Sequence, residues 1–351
     1  MATLSSITDC ILFVDMPNLG GGTTFFVNSL ISHYAPKTTF LVARNFNRKL
    51  QLSVNNTTIL KKTYTKDESV ELLDKIKDKI SFIFVNHIIE HTKAFLQKLF
   101  KLNKKVVGIT HDYLLLFSEP QFTFEEYLSK NFSKKFSLQS KLNINQFDLV
   151  ITQNSGNMYI YHKYMTKDTR ERVSVVGLPD YTKSLKKIKN SNTDVVVVGI
   201  LGNITYIKGS LIVLEFIKKT KNTNVKLVVF GSIIDDTDYP HQYPYKGIAH
   251  LNRLLTEHKP NVIIETSICP ETYSYTLTLG MLTRLPILYY KKPIPCVVTD
   301  RLSHYKKSYE CKSVKEMIKY AVKLSQPYLY TIDESSFAVN SQWDTIFGQV
   351  Y

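Results

Sequence analysis

The chain has 351 residues, more than one hydrophobic core usually organises, so we expect about two domains. Hydrophobic residues make up 44% of the sequence and aromatic residues 12%, fractions that exclude an intrinsically disordered chain. The formal net charge of +15 favours an anionic partner, such as a nucleotide, a phosphate-bearing lipid, a membrane surface or a nucleic acid, without choosing among them.

The cysteines are scattered and predict a reducing compartment. Cys10, Cys269, Cys296 and Cys311 form no C-x-x-C pair, so we expect neither a disulfide framework nor a zinc site. The first residues show no basic stretch followed by an apolar one, and no apolar run is long enough to cross a bilayer. The sequence therefore predicts a cytoplasmic protein.

Short apolar runs alternate with longer amphipathic segments along the chain. This pattern predicts an α/β fold of two Rossmann-like, doubly wound parallel-sheet domains. The predicted strands are residues 10–15, 39–43, 81–85, 105–110, 149–152, 173–176, 194–200, 226–230, 262–265 and 287–289. A polar, basic stretch over 180–193 reads as a linker, so we predict domains over 1–185 and 186–330. Ligands of such sheets bind beyond the carboxyl ends of the strands.

Three glycines follow the first predicted strand. Gly20, Gly21 and Gly22, with Thr23, precede a helical pattern over 25–33. Glycines let backbone N–H groups approach a ligand closely, and a helix N-terminus favours an anion, so a phosphate or a sugar fits here. The spacing matches neither a dinucleotide-binding nor a Walker A motif. The alternative is a simple tight turn.

Polar residues also follow the third and fourth predicted strands. Asn86 ends one of them, and His111 and Asp112 follow the next. His111 could orient a hydroxyl or donate to a phosphate, with Asp112 holding its tautomer. The alternative is that His111 is a structural residue.

The second half contains a glycine-rich segment with a lysine at the start of a helix. Gly202 and Asn203 follow the strongest predicted strand, and Lys208 opens the helix predicted over 210–219. An ammonium group and backbone N–H groups converging on one anion suit a diphosphate, although a surface lysine is the commoner case. Gly231, at another predicted strand end, leaves room for a flat base.

A third segment places an acid and several hydroxyls before an apolar helical pattern. Glu271 is followed by Ser274, Tyr275 and Thr276. The carboxylate is predicted to lie beside a bound sugar and the hydroxyls beside a phosphate, whereas the alternative for Glu271 is helix capping. The acidic run at 235–238 reads as a solvated loop, so we predict no metal site.

Together these segments resemble the retaining GT-B enzymes of glycosyltransferase family 4, above all in Pro270-Glu271-Thr272-Tyr273-Ser274-Tyr275-Thr276. The resemblance implies two domains facing a cleft, with residues 331–351 as a helix crossing back to the first domain. It implies a UDP-, GDP- or dTDP-sugar donor, a glycan or glycolipid acceptor, no cofactor and no metal. By resemblance, Lys208 binds the donor diphosphate, Glu271 contacts the donor sugar and His111 lies by the reacting centre.

Two departures from the family pattern leave alternatives open. The family has an arginine where this chain has Asn203, and a second glutamate, which holds the ribose, where this chain has Leu279. A GT-B-like binding protein without turnover is therefore one alternative. A basic nucleic-acid-binding protein is another, although the lysines form no single stripe. Basic pairs such as Lys134 and Lys135 also favour peripheral contact with an anionic membrane.

Overall fold

A computed structural model of the chain describes residues 4, 7–17, 21–47, 49–56, 58–135, 142–177, 194–236, 238–325, 343 and 346. The chain divides into two compact units. Unit 1 comprises Met1–Pro120, Lys130–Pro179 and Asn340–Tyr351, and unit 2 comprises Gln121–Ser129 and Asp180–Val339. The predicted linker over 180–193 lies outside the described residues, as does most of the predicted C-terminal helix.

Unit 1 is built on a sheet whose strands lie in the order β4-β3-β2-β1-β5-β6-β7-β8. Its central strand β1 is buried along its whole length, which explains its uninterrupted apolar sequence. The strands are β1 Cys10–Asp15, β2 Thr39–Phe46, β3 Lys49–Val54, β4 Thr58–Tyr64, β5 Ile80–Val85, β6 Lys105–Ile109, β7 Leu149–Thr152 and β8 Val173–Val175.

The sequence predicts a parallel sheet for unit 1, but only part of this sheet is parallel. β2, β3 and β4 pair in antiparallel register, with Phe46 opposite Lys49 and Leu41 opposite Val54. A connection of two residues between β2 and β3 allows only a hairpin, because parallel neighbours need a long crossover. Asn47 takes a positive φ of 49° at this turn, which asparagine tolerates.

Unit 2 contains a sheet that is parallel in all its described pairings, in the order β10-β9-β11-β12-β13. Its strands are β9 Val196–Ile204, β10 Val225–Ile233, β11 Val262–Glu265, β12 Ile287–Tyr290 and β13 Ser308–Cys311. Buried aliphatic residues of β9 and β10 form one hydrophobic core together with Val213, Phe216 and Met317. The fold is therefore the predicted pair of Rossmann-like domains, with β3, β4 and β13 as additional strands.

The helices lie between these strands in chain order. They are α1 Gly21–Tyr34, α2 Lys66–Ile76, α3 Lys93–Leu99, α4 Phe124–Leu128, α5 Phe132–Lys135, α6 Met158–Tyr161, α7 Lys167–Glu171, α8 Ser210–Thr220, α9 Gly247–His258, α10 Tyr275–Leu282, α11 Val297–Ser303 and α12 Val314–Leu324. Within the described part of the chain, no helix is both long and apolar enough to cross a membrane.

Three predicted loops turn out to be parts of regular elements. Gly21, Gly22 and Thr23 form the first turn of α1. Gly202 and Asn203 lie within β9, and Gly231 lies within β10, because the two strands stay paired as far as Ile204 opposite Ile233. The loop after β9 therefore begins at Thr205 and carries Lys208 directly.

Candidate functional site

Lys208 is held by a short turn at the carboxyl end of β9. Residues Tyr206–Lys208 form one 3₁₀ turn, which Gly209 ends with a left-handed φ of 81°. The hydroxyl of Thr266 donates to the Lys208 carbonyl at 2.7 Å. A Cβ on Gly209 would lie 2.1 Å from the Thr266 carbonyl oxygen, so only glycine fits this approach. The turn is thereby fixed against the end of β11.

Lys208 and Glu271 form an ion pair. Lys208 Nζ lies 2.8 Å from Glu271 Oε2, and the side chains are 31% and 5% exposed. Burial raises the pKa of Glu271, but the Lys208 ammonium and hydrogen bonds from Ser267 and Ser274 outweigh it and leave the pKa below its ordinary value. Burial lowers the pKa of Lys208, but Glu271 outweighs it and leaves the pKa raised. Both groups therefore carry their charges at neutral pH.

The N-terminus of α10 lies at the same place. Ser274 caps the helix, its Oγ accepting from the Leu277 N–H at 3.4 Å and lying 3.3 Å from Thr276 Oγ1. A Cβ on Gly202 would lie 2.6 Å from Thr276 Cγ2, so glycine lets the first turn of α10 approach β9. A helix N-terminus and a nearby ammonium group both favour an anion.

Five of the predicted donor-site residues thus lie together, namely Gly202, Lys208, Glu271, Ser274 and Thr276. Three of them, Lys208, Glu271 and Thr276, line a cavity of about 30 Å³, which has room for a water molecule. Apolar residues, among them Ile200, Ile263 and Leu277, also line it. Tyr275 begins α10 and packs edge-on against Tyr273 at 4.9 Å. Asn203 of β9 is exposed and accepts from the Ser232 hydroxyl of β10 at 3.1 Å. Gly231 lies opposite Gly202 on β10.

The sequence analysis missed a second buried ion pair beside the first. Lys292 Nζ lies 2.7 Å from Glu265 Oε2, and the side chains are 1% and 9% exposed. Glu265 ends β11, and Lys292 follows β12 by two residues, so both occupy the carboxyl edge where ligands of such sheets bind. That position is the signal that could have identified them.

Arg301 was also missed. Its guanidinium donates to the Ser274 carbonyl at 2.8 Å and to the Thr278 hydroxyl at 2.7 Å, and it lies over the Tyr273 ring. It therefore fixes the start of α10 from the direction of α11.

In unit 1, His111 belongs to a hydrogen-bonded chain across the carboxyl edge of the sheet. His111 Nε2 lies 2.6 Å from Asn86 Oδ1, Asn86 Nδ2 donates to Asp15 Oδ1 at 2.7 Å, and Arg44 pairs with Asp15 at 2.7 Å. Because the Asn86 amide group donates to Asp15, its oxygen is left to accept from His111 Nε2–H. His111 Nδ1 then accepts from Gln153 at 3.3 Å.

The environment of His111 keeps the imidazole neutral. Burial and, as the smaller cause, the neighbouring His87 together lower its pKa to about 3. Both ring nitrogens face protein partners, an arrangement that suits an uncharged hydrogen-bonding group rather than a general acid. The ring also packs against Phe26 of α1, with centroids 4.8 Å apart.

The prediction that Asp112 holds the tautomer of His111 is wrong. Asp112 Oδ2 lies 2.7 Å from His87 Nε2, and Asn86 takes the predicted role beside His111. The physical reason is that His111 and Asp112 are consecutive, so their side chains project in different directions. Of the predicted glycine segment, Gly20 lies outside the described residues, whereas Gly21, Gly22 and Thr23 start α1, whose next turn carries Phe26.

Comparison with solved structures identifies the same fold in several glycosyltransferases. Alr3699/HepE from Anabaena, in complex with UDP and glucose, has a TM-score of 0.60 and 15% identity over 97% of this chain and 95% of that one. A glycosyltransferase from Rickettsia africae ESF-5 gives 0.63 and 12%, over 98% of each chain. Sucrose-phosphate synthase from Thermosynechococcus elongatus gives 0.64 and 11%, over 97% and 99%.

No protein-family model and no curated protein matches the chain. Identities this low establish the fold alone. The predicted resemblance is confirmed at that level: the chain has the GT-B fold, built from two Rossmann-like domains.

Proposed function

We propose that this protein is a glycosyltransferase that moves a sugar from a nucleotide-sugar to a glycan, lipid-linked or protein-linked acceptor in the cytoplasm. The observation that carries the proposal is the Lys208–Glu271 ion pair, 2.8 Å long, at the N-terminus of α10. The pair supplies an ammonium group and a carboxylate, and the adjacent start of α10 supplies N–H groups, all at the carboxyl edge of a parallel sheet. Proteins of the same fold crystallised with UDP and with UDP-glucose support this assignment.

The charge of each residue determines its role in the reaction. Lys208 and the first turn of α10 bind the diphosphate, and Lys208 stabilises the negative charge that grows on it as the bond from the sugar anomeric carbon to the phosphate oxygen breaks. Glu271 accepts hydrogen bonds from the sugar hydroxyls. The acceptor oxygen forms the new bond to the anomeric carbon, and its proton passes to the leaving phosphate. Attack on the face that the phosphate leaves retains the configuration.

This route needs no protein nucleophile and no metal ion. In it His111 acts as an uncharged hydrogen-bonding group. An imidazole with a pKa of about 3 stays uncharged throughout the physiological range. We infer that its chain to Asn86 and Asp15 fixes the polar wall on which the acceptor binds.

Membrane contact is the finer part of the proposal. The charge of +15 and basic pairs such as Lys134 and Lys135 favour an acceptor carried by anionic lipid. Flotation with anionic liposomes at physiological salt tests it, since an unbound protein would contradict lipid docking while leaving the transferase proposal intact.

A binding protein without turnover is the second candidate, because of Leu279. This residue stands where the resembling family has its ribose-binding glutamate, and it is buried in α10 at 8% exposure. An aliphatic side chain offers no hydrogen bond to a ribose, and one charge-assisted hydrogen bond contributes about 1.5 to 3 kcal/mol.

One experiment separates the two candidates. A thermal-shift panel of UDP, GDP, dTDP and their sugar conjugates identifies the base, since ligand at about 100 times its dissociation constant adds roughly 2.7 kcal/mol of stability. Release of free nucleotide from the matching sugar conjugate, with and without acceptor glycans, then reports turnover. Binding with nucleotide release supports the transferase, whereas binding without release supports the second candidate, and no binding contradicts both.

A further inference from the structure

The second ion pair of unit 2 holds the backbone of a single residue, Ser267, in the loop between β11 and α10. Glu265 Oε1 accepts from the Ser267 N–H at 2.9 Å, and Lys292 Nζ donates to the Ser267 carbonyl oxygen. The two charged groups contact each other at 2.7 Å and are almost fully buried. The backbone N–H and the backbone carbonyl of Ser267 are therefore both held by one pair of side chains.

Ser267 in turn connects this pair to Glu271. Ser267 lies four residues before Glu271, and its Oγ lies 3.3 Å from Cys269 Sγ, two residues before Glu271. The Ser267 side chain also contributes to lowering the pKa of Glu271. The segment from Ser267 to Glu271 contains no helix or strand, so its conformation depends on such contacts. Ile268 provides two further anchors, since its N–H donates to the Ile207 carbonyl at 2.9 Å and its carbonyl accepts from the Phe124 N–H at 2.9 Å.

We propose that Glu265 and Lys292 are positioning residues for the nucleotide-sugar site, which hold the backbone N–H and carbonyl of Ser267 and through this residue keep Glu271 against Lys208. This inference rests on the proposed function, because it concerns the same site. A buried pair contributes little to net stability compared with apolar residues of the same shape, so a role in positioning explains better than stability why two charges are placed here.

The charged groups around Glu265 and Lys292 influence one another's pKa values, so the proposal can be tested by titration. The charged and titratable groups that face Glu265 and Lys292 come from every element packed around them, namely Lys208 after β9, Cys269 and Glu271 before α10, and Cys296 before α11. Burial raises the pKa of Glu265, and Lys292 opposes that effect. Without Lys292, Glu265 would be a buried carboxylate lacking its cation.

Three variants test the proposal. Lys292→Met removes the cation, Glu265→Gln with Lys292→Met removes both charges, and Lys291→Met is the matched control because Lys291 is the adjacent, exposed lysine. In Lys292→Met we expect stability to fall more steeply than in the wild type as pH rises above the ordinary glutamate pKa of 4.5, since Lys292 no longer opposes the raised pKa of Glu265 and the ionised carboxylate is then buried without its cation. The double variant should lose this pH dependence and fold.

The decisive comparison uses the double variant and two readouts. Titrations with UDP, GDP and dTDP should give a dissociation constant weakened by about 10-fold, because Glu271 and Lys208 lose their fixed geometry. A ¹³C NMR titration of the glutamate carboxyls in the ligand-free protein, with Glu271 assigned from Glu271→Gln, should show its pKa moved upward. Lys291→Met should change neither.

A double variant with an unchanged Glu271 pKa and unchanged nucleotide affinity would overturn the proposal and make the pair a simple core contact. If the wild-type protein binds no nucleotide, the proposed function fails, and the ligand-free NMR titration still decides whether Glu265 and Lys292 position Glu271.

Discussion

Lys208 Nζ lies 2.8 Å from Glu271 Oε2, and the two residues come from different loops, one after β9 and one after β11. Their neighbouring strands bring these loops to one edge of the sheet, although the two residues are 63 positions apart in the sequence. The pair is more buried on the carboxylate side than on the ammonium side. An anionic ligand therefore approaches Lys208 without first displacing Glu271 from its hydrogen bonds.

Glu271→Gln should lower the free energy of unfolding at pH 7 by about 1.5 to 3 kcal/mol, the contribution of a charge-assisted hydrogen bond. Because the pKa of Glu271 in the folded protein lies below its ordinary 4.5, the stabilisation is complete above that pH and is lost as pH falls through the folded pKa. Urea unfolding at pH 7 and pH 3 should therefore show a smaller difference between variant and wild type at pH 3.

Glu215→Gln is the control for this change, since Glu215 forms an exposed pair with Lys219 at 3.6 Å. It should alter the unfolding free energy by less than about 0.5 kcal/mol at either pH. Equal effects of the two substitutions would contradict the role assigned to the buried pair.

His111 should make stability fall with decreasing pH. Its folded pKa of about 3 lies below the ordinary 6.5, so the unfolded chain binds a proton first, and the stabilisation present above pH 6.5 is lost between there and pH 3. His111→Gln should reduce the slope of unfolding free energy against pH in this window. A His111 ring signal that titrates near pH 6.5 in an NMR experiment would disprove the neutral role.

Gly209→Ala and Gly247→Ala form a matched pair for the Lys208 turn. Both glycines have positive φ, 81° and 73°, so each alanine costs about 1 to 2 kcal/mol of backbone energy. A Cβ at Gly209 would also meet the Thr266 carbonyl oxygen at 2.1 Å, whereas at Gly247 it meets nothing within 4 Å. Gly209→Ala should therefore be more destabilising by about 1 to 3 kcal/mol in urea unfolding. Equal losses would mean that the turn does not depend on close contact with Thr266.

Trp343, the only tryptophan of the chain, reports on the C-terminal segment. It is fully buried in unit 1, donates to the Gly177 carbonyl at 2.7 Å and packs against Phe26 and Phe84. Trp343→Ala should cost about 3 to 5 kcal/mol, and Trp343→Phe, which keeps an aromatic ring, much less. Native fluorescence should be blue-shifted relative to the unfolded chain. A solvent-exposed emission spectrum in the native protein would contradict this packing.

The site residues that the sequence predicted best are those with a local signal. Lys208 and Glu271 stand out because a glycine follows the first and a hydroxyl-rich helix start follows the second. Lys292, in contrast, has only the weak signal of its position after a predicted strand, because the Lys-Lys-Pro stretch around it is typical of a surface loop. Its importance depends on pairing with Glu265, 27 positions earlier, and only the adjacent placement of β11 and β12 creates that contact.

The unpredicted parts of the fold have a similar cause. β3 and β4 carry lysine, serine and threonine among their apolar residues, so they lack the continuous apolar pattern of a buried parallel strand. The exchange of Asp112 for Asn86 beside His111 depends on how the chain turns after β6. Such a change of direction has no signal in residue spacing.

The central claim is that Lys208 and Glu271 form a nucleotide-sugar site, and calorimetric titration of wild type and Lys208→Ala with the nucleoside diphosphate selected by the thermal-shift panel tests it most directly. Lys219→Ala, which removes an exposed lysine of α8, is the control. We expect Lys208→Ala to weaken binding by about 10- to 150-fold, the equivalent of one charge-assisted hydrogen bond, and Lys219→Ala to leave it unchanged. Wild-type affinity in Lys208→Ala would contradict the claim.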